Sequence, residues 1–260
     1  MKVYSFAAGP DDPRFPQVAA TDHAFRRRGY EVVPFTFADL AAGRLDADLI
    51  KRPGETVVWG PVGAVAGALD RAGVSRPPLL DYPAELAGFL GRRVRAGTLG
   101  EVRASDARGG PARWPVHVKP RETHKLFTGV AVRAFRDLLA LKDLPAEEPV
   151  WIADFVPFRA EWRAVVLRGE VVNASHYRGD PLAFPDPAVV AAGAAAFASA
   201  PVSYGADWGV LEDGRTVLVE VNDGSSLGNY GCPGHLYTAA LECRWRELNG
   251  LPDTGVGRTT

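Results

Sequence analysis

The stretch DWGVLEDGRTVLVEVNDG, residues 207–224, decides how the chain is read. Two runs of alternating apolar residues flank Asp213-Gly214, a dipeptide suited to a tight hairpin turn. On the second run, VLVEVN, side chains alternate, so Glu220 and Asn222 share one face. Val219 and Val221 are expected to fill the opposite face, toward the core. Asp207 opens the neighbouring strand and brings a third oxygen-bearing side chain. Hard oxygen donors of this kind suit Mg²⁺, which keeps several waters and takes further ligands from phosphates. The same pattern also describes the solvated side of an antiparallel sheet.

Working outward, the first half alternates strand and helix. KVYSF, EVVPFTF and ETVVWG read as strands, while FPQVAATDHAFRRRGY and VGAVAGALDRAGV have helical spacing. This predicts a small parallel α/β unit. DYPAELAGFLGRRV reads as a further helix with Asp81 at its N-cap. The turn-rich DARGGPARWP places a boundary near residue 110. Beyond it come helices and hairpin-connected strands. The expected division is residues 1–110, 111–250 and a loose tail at 251–260.

The bulk composition is that of an ordinary globular chain. Of its 260 residues 47% are hydrophobic and 23% charged, and the formal net charge of −1 gives no general pull toward nucleic acid or an anionic membrane. No apolar run approaches the ~20 residues that span a bilayer. The two cysteines, Cys232 and Cys243, match no zinc spacing, and a reducing, cytoplasmic setting is expected. A monomer or a homodimer is expected.

Four further segments carry candidate chemistry. VHVKP places Lys119 at a strand end, where an ammonium suits phosphate. RETHKLFTG follows with Lys125 in a loop that ends in Gly129; it lacks the Walker pattern. WIADFVPFRAEWRAVV holds an apolar strand end at Asp154, Phe155 and Val156, a site for an adenine ring, and then Glu161 and Arg163. Glu161 suits ribose hydroxyls, and the planar fork of Arg163 suits a phosphate or carboxylate. ASHYRGD closes a strand with His176, Tyr177 and Arg178. Taken singly, each segment also reads as an ordinary run of solvated side chains.

Their order along the chain is more specific. Lys119, Lys125, the apolar strand end, Glu161-x-Arg163, Tyr177-Arg178, Asp207 and Glu220-x-Asn222 form a sequence that resembles the ATP-grasp superfamily and its RimK-like members. The wording VKP…KLFTG, AEWRAVV, YRGD and VEVNDGSSLGNYG is similar to the R2K clade, over roughly residues 55–232. The resemblance implies a mixed α/β ATP-grasp fold with an N-terminal pre-ATP-grasp unit. It implies ATP contacts from Lys119, Lys125 and Tyr177, adenine against Asp154 to Val156, and ribose on Glu161. It further implies Arg163 and Arg178 at the transferred phosphate, and Mg²⁺ on Asp207, Glu220 and Asn222. Two departures stand out: the nucleotide-covering loop has no glycine before Gly129, and Glu161 stands where many relatives carry Asp. The implied reaction is ATP-dependent ligation of a small-molecule or peptide carboxylate to an amine, with a phosphotransferase and a non-catalytic nucleotide-binding module as the alternatives. The acceptor site is expected between the N-terminal unit and the loop NDGSSLGNYG.

Overall fold

The structure is a computed structural model and describes residues 1–123 and 126–257. Its elements run β1 (Lys2–Phe6), α1 (Phe15–Arg27), β2 (Glu31–Phe35), α2 (Phe37–Ala41), α3 (Asp46–Lys51), β3 (Thr56–Trp59) and α4 (Val62–Ala72) in the first part. Then follow β4 (Val94–Thr98), α5 (Leu99–Arg103), β5 (Val116–Pro120), β6 (Val130–Val132), β7 (Pro149–Asp154), β8 (Ala160–Leu167) and β9 (Glu170–Gly179). The chain closes with α6 (Pro187–Ala196), β10 (Ser203–Val210), β11 (Thr216–Asp223) and α7 (Gly234–Leu248).

Three sheets result. The first, β2-β1-β3, is parallel, as the alternation of strand and helix predicts. Helix α2 starts at a capping box in which Thr36 and Asp39 bond each other's backbone, and α4 stops at Gly73, whose φ of 71° ends the helix in the left-handed region. The core of this unit draws on both ends of the chain. Val3, Val57 and Leu69 pack with Tyr237, Leu241 and Trp245 of α7. Trp59 Nε1 donates to the Tyr237 hydroxyl at 3.1 Å, and Arg28 of the α1 terminus pairs with Glu242.

The other two sheets are antiparallel and four-stranded, in the orders β4-β7-β5-β6 and β11-β10-β8-β9. Helix α6 covers the second of them. Gly193 sits mid-helix because a Cβ there would come within 2.5 Å of the Trp208 ring, so its absence lets α6 settle on the sheet.

Several expectations are altered by tertiary contacts. The segment from Asp81 forms a short 3-10 turn over Ala84–Phe89 rather than a full helix. Asp81 is not an N-cap: it takes a φ of 42°, and its carbonyl accepts from Val221 N of β11 at 2.8 Å. Strand β4 precedes residue 110 yet pairs with β7, and Leu99, Val102, Ala112 and Trp114 share one core with Val116 and Val150. Both sides of residue 110 therefore belong to one packed unit. The tail expected to be loose is held as far as Val256, because Arg168 bonds the Asp253 carboxylate and the Val256 carbonyl.

Candidate functional site

The two antiparallel sheets and the N-terminal unit surround one cavity of about 970 Å³. Strand periodicity decides which side chains reach it. On β5, Val116 and Val118 are buried in the sheet's core, while His117 and Lys119 point the other way and line the cavity. On β11, Glu220 and Asn222 face the cavity, as the alternation predicts. Val219 does not fill the core. The register between β10 and β11 shifts between Asp207 and Trp208, which leaves Val219 unpaired at a bulge. Val217, Leu218 and Val221 are the buried residues of β11, and Val219 lines the cavity.

The charged groups form a connected network. Lys119 Nζ lies 2.6 Å from Glu220 Oε2 and 2.6 Å from Asp81 Oδ1. Burial acts to lower Lys119, but Glu220, then Tyr82 and Asp81, outweigh it and raise the ammonium above its ordinary value. For Glu220, burial acts to raise the carboxyl and Lys119 pulls it below its ordinary value. Asn222 Nδ2 donates to Glu220 Oε1 at 3.1 Å. Arg163 forks onto both oxygens of Asp207, at 2.7 and 2.6 Å. Against the lowering effect of burial, those bonds push Arg163 further up, so it is charged. Its guanidinium also lies over the Tyr230 ring, 4.7 Å from the centroid. Glu161 accepts from the Tyr177 hydroxyl at 2.9 Å and pairs with Arg178 at 3.0 Å.

The cavity thus brings together Lys119, Glu161, Arg163, Tyr177, Glu220 and Asn222. Asp207 stands behind Arg163, and Arg178 is largely exposed and is not among the residues lining the cavity. Asp154 ends β7, Phe155 and Val156 begin the connection to β8, and none of the three lines the cavity. There, Asp154 faces Arg93 at 3.3 Å, and Phe155 carries the Arg133 guanidinium 4.5 Å from its ring centroid. Lys125 lies outside the described residues.

Among the described residues no cluster of three or more His, Cys, Asp or Glu side chains is arranged as a metal cage. The donors that do converge, Glu220 and Asn222, suit a hard divalent cation that draws its remaining ligands from water and phosphate. Asp207 fits that role only once Arg163 is drawn off, because both of its oxygens are engaged.

Two site residues escape a residue-by-residue reading. Asp81 ties the site together: its carboxylate accepts from Trp151 Nε1 at 2.9 Å and holds Lys119, while its backbone bonds β11 between Glu220 and Asn222. His117 shares the Lys119 face, and that much follows from counting by two along VHVKP. Gly129 closes against it, since a Cβ there would lie 2.7 Å from the imidazole. Burial, followed by the charge of Lys119, drives His117 down to about 4.

A pH dependence follows. Above the ordinary value of 6.5 His117 is neutral folded or unfolded, and it adds nothing. As pH falls from there toward 4, only the unfolded chain takes the proton, so stability drops by about 3 kcal/mol and then levels off. Urea unfolding across that range should show this loss in the native protein and lack it in His117→Gln. Equal pH slopes in the two proteins would show that the imidazole is not held neutral.

A parallel α/β unit joined to two antiparallel sheets that enclose a cavity of paired cations and carboxylates is the ATP-grasp fold. Residues 89–240 match the family model described as ATP-grasp domain, R2K clade family 2, and the chain belongs to that family. Among solved structures it is similar to a RimK-domain ATP-grasp protein from Sphaerobacter thermophilus, with 20% identity, 85% of this chain and 91% of that chain covered, and a TM-score of 0.55. It is also similar to the D-cycloserine synthetase DcsG, with 16% identity, 95% and 100% covered, and a TM-score of 0.59. A third is the D-alanine–D-alanine ligase from Bacillus anthracis complexed with ATP, with 15% identity, 96% and 97% covered, and a TM-score of 0.52. At these identities the likeness is one of fold. No curated protein matches the chain. Among the described residues no helix is long and apolar enough to cross a membrane.

Proposed function

We propose that the chain is an ATP-dependent carboxylate–amine ligase that forms an amide through an acyl phosphate. The observation that carries this reading is the convergence of Lys119, Arg163, Glu220 and Asn222 on one cavity, with Glu161 and Tyr177 beside them. The name of one fold neighbour, the D-alanine–D-alanine ligase, agrees with it.

In this reading an oxygen of the substrate carboxylate attacks the γ-phosphorus of ATP. The bond from that phosphorus to the bridging oxygen breaks, and ADP leaves with the electron pair. The amine nitrogen then attacks the acyl carbon, the carbon–oxygen bond to phosphate breaks, and the nitrogen gives up a proton to solvent. Lys119 holds ATP phosphate oxygens, with Lys125 as a second donor. Arg163 and Arg178 offset the charge of the transferred phosphate. Glu161 accepts from ribose hydroxyls, with Tyr177 fixing its carboxylate. Adenine would lie at the edge of the cavity, against the backbone from Asp154 to Val156, which stands outside its lining. Glu220 and Asn222 would hold Mg²⁺, which when bound neutralises phosphate charge. Asp207 orients Arg163, and joins the metal set when phosphate draws Arg163 away. No side chain is covalently modified; positioning and charge neutralisation supply the rate. The free, buried Cys232 and Cys243 fit a cytoplasmic setting.

Incubation with Mg-ATP, a panel of carboxylates and hydroxylamine tests the reaction. ADP and a hydroxamate that depends on one carboxylate are expected. ADP with a phosphorylated product and no hydroxamate would make the protein a phosphotransferase instead. Absence of Mg-ATP binding by calorimetry would remove the ATP-grasp reading of the cavity.

A further inference from the structure

The cavity has two ends of opposite chemistry. One is the polar end built by Lys119, Glu220 and Asn222. The other lies under the N-terminal unit, where Val62 and Ala66 of α4, Pro77, Leu79 and Leu80 of the strap leading to Asp81, and Leu227 form the wall. Residues 62 and 66 are one helical turn apart and share a face. Ala64, Val65 and Ala68 of the same helix are buried in the first core. Helix α4 is therefore apolar toward its own sheet and apolar toward the cavity.

The polar groups at this end are already engaged. Arg76 Nε donates to Asp70 Oδ1 at 2.9 Å. Asp223 accepts from Arg244 at 2.9 and 2.6 Å. Ser226 Oγ donates to the Gly60 carbonyl at 2.7 Å. Asp81, where the strap meets the polar end, is held by Lys119 and Trp151. Among the described residues, the ionised side chains that line this end all have partners within the protein. A charged substituent placed against this wall would find no unpaired counter-charge.

We infer that the substrate whose reacting group lies over Glu220 and Asn222 carries an aliphatic or aromatic body that packs against α4 and the 77–80 strap: an apolar amino acid, or a peptide end bearing one. This rests on the proposed ligase reading and adds the substrate class to it. The body displaces water from Val62, Ala66, Leu79 and Leu227, and each added methylene that reaches the wall improves selection. Pocket contacts of this kind discriminate by about 10-fold or more per methylene group.

The test is ADP release with Mg-ATP and substrates that differ only in side chain: glycine, serine, glutamate, lysine, leucine and phenylalanine. Leucine or phenylalanine is expected to exceed glycine, glutamate and lysine by about tenfold or more in kcat/KM. Ala66→Trp fills the apolar end, so it should cut the apolar substrate by about a hundredfold while leaving glycine and Mg-ATP affinity within about threefold. Should Ala66→Trp fail to fold, Leu79→Glu on the strap puts a charge on the same wall and should abolish the preference. If no member turns over, calorimetry of leucine and glutamate into protein saturated with Mg-AMPPNP reads the same selectivity as binding. Equal or better use or binding of the charged members overturns the inference, as does the absence of leucine binding to the loaded protein. Failure of Mg-AMPPNP itself to bind would instead remove the ligase reading beneath it.

Discussion

Replacing Arg163 with alanine is expected to cost about 3–5 kcal/mol of folding stability. The reason lies in what remains. Asp207 is 3% exposed, and Arg163, itself 7% exposed, supplies both of its strong hydrogen bonds. Burial pushes the Asp207 carboxyl up, and Arg163 opposes that push. Without the guanidinium the carboxylate must stay charged in a dry site or take up a proton. The cost should therefore shrink as pH is lowered, since protonation relieves the stranded charge. A double variant, Arg163→Met with Asp207→Leu, should recover much of the loss, because a buried pair replaced by apolar groups of similar volume is often neutral in stability. Urea unfolding of the two single variants and the double variant closes the cycle. A cost under about 1 kcal/mol for Arg163→Ala would mean that water reaches Asp207.

Glu220→Gln is expected to leave the fold intact and to lower ADP formation by at least about a hundredfold. The amide keeps the size of the side chain and can still accept from Asn222. What it removes is the charge that faces Lys119 at 2.6 Å and, in the proposed reading, the charge that holds Mg²⁺. The Mg²⁺ concentration for half-maximal activity should rise about 10–100-fold, an effect that a purely structural role would not produce. Titrating Mg²⁺ at fixed ATP separates the two. An unchanged Mg²⁺ midpoint would assign Glu220 to Lys119 alone.

What was legible in the sequence was what depends on neighbours along the chain. The period of two places Glu220 and Asn222 on one face, and the Asp-Gly turn gives the hairpin β10–β11. The alternation of strand and helix gave the parallel unit. What escaped depends on partners far away. Asp81 reads as a helix cap because Pro83 and an apolar run follow it, yet Lys119, Trp151 and Val221 hold it out of a helix. Val219 reads as a core residue until a bulge shifts the count by one. The pairing of Arg163 with Asp207 joins β8 to β10, a register that no local pattern shows.

The shared core at the start of the fold has a consequence for how the chain is made. A ribosome delivers β1, β2 and β3 before α7, which among the described residues follows every other helix and strand. Tyr237, Leu241 and Trp245 are part of the packing around Val3 and Val57, so the first sheet has no complete interior until those residues arrive. The two antiparallel sheets lie between the two halves of this unit, inside a loop of chain that the first sheet and α7 close together.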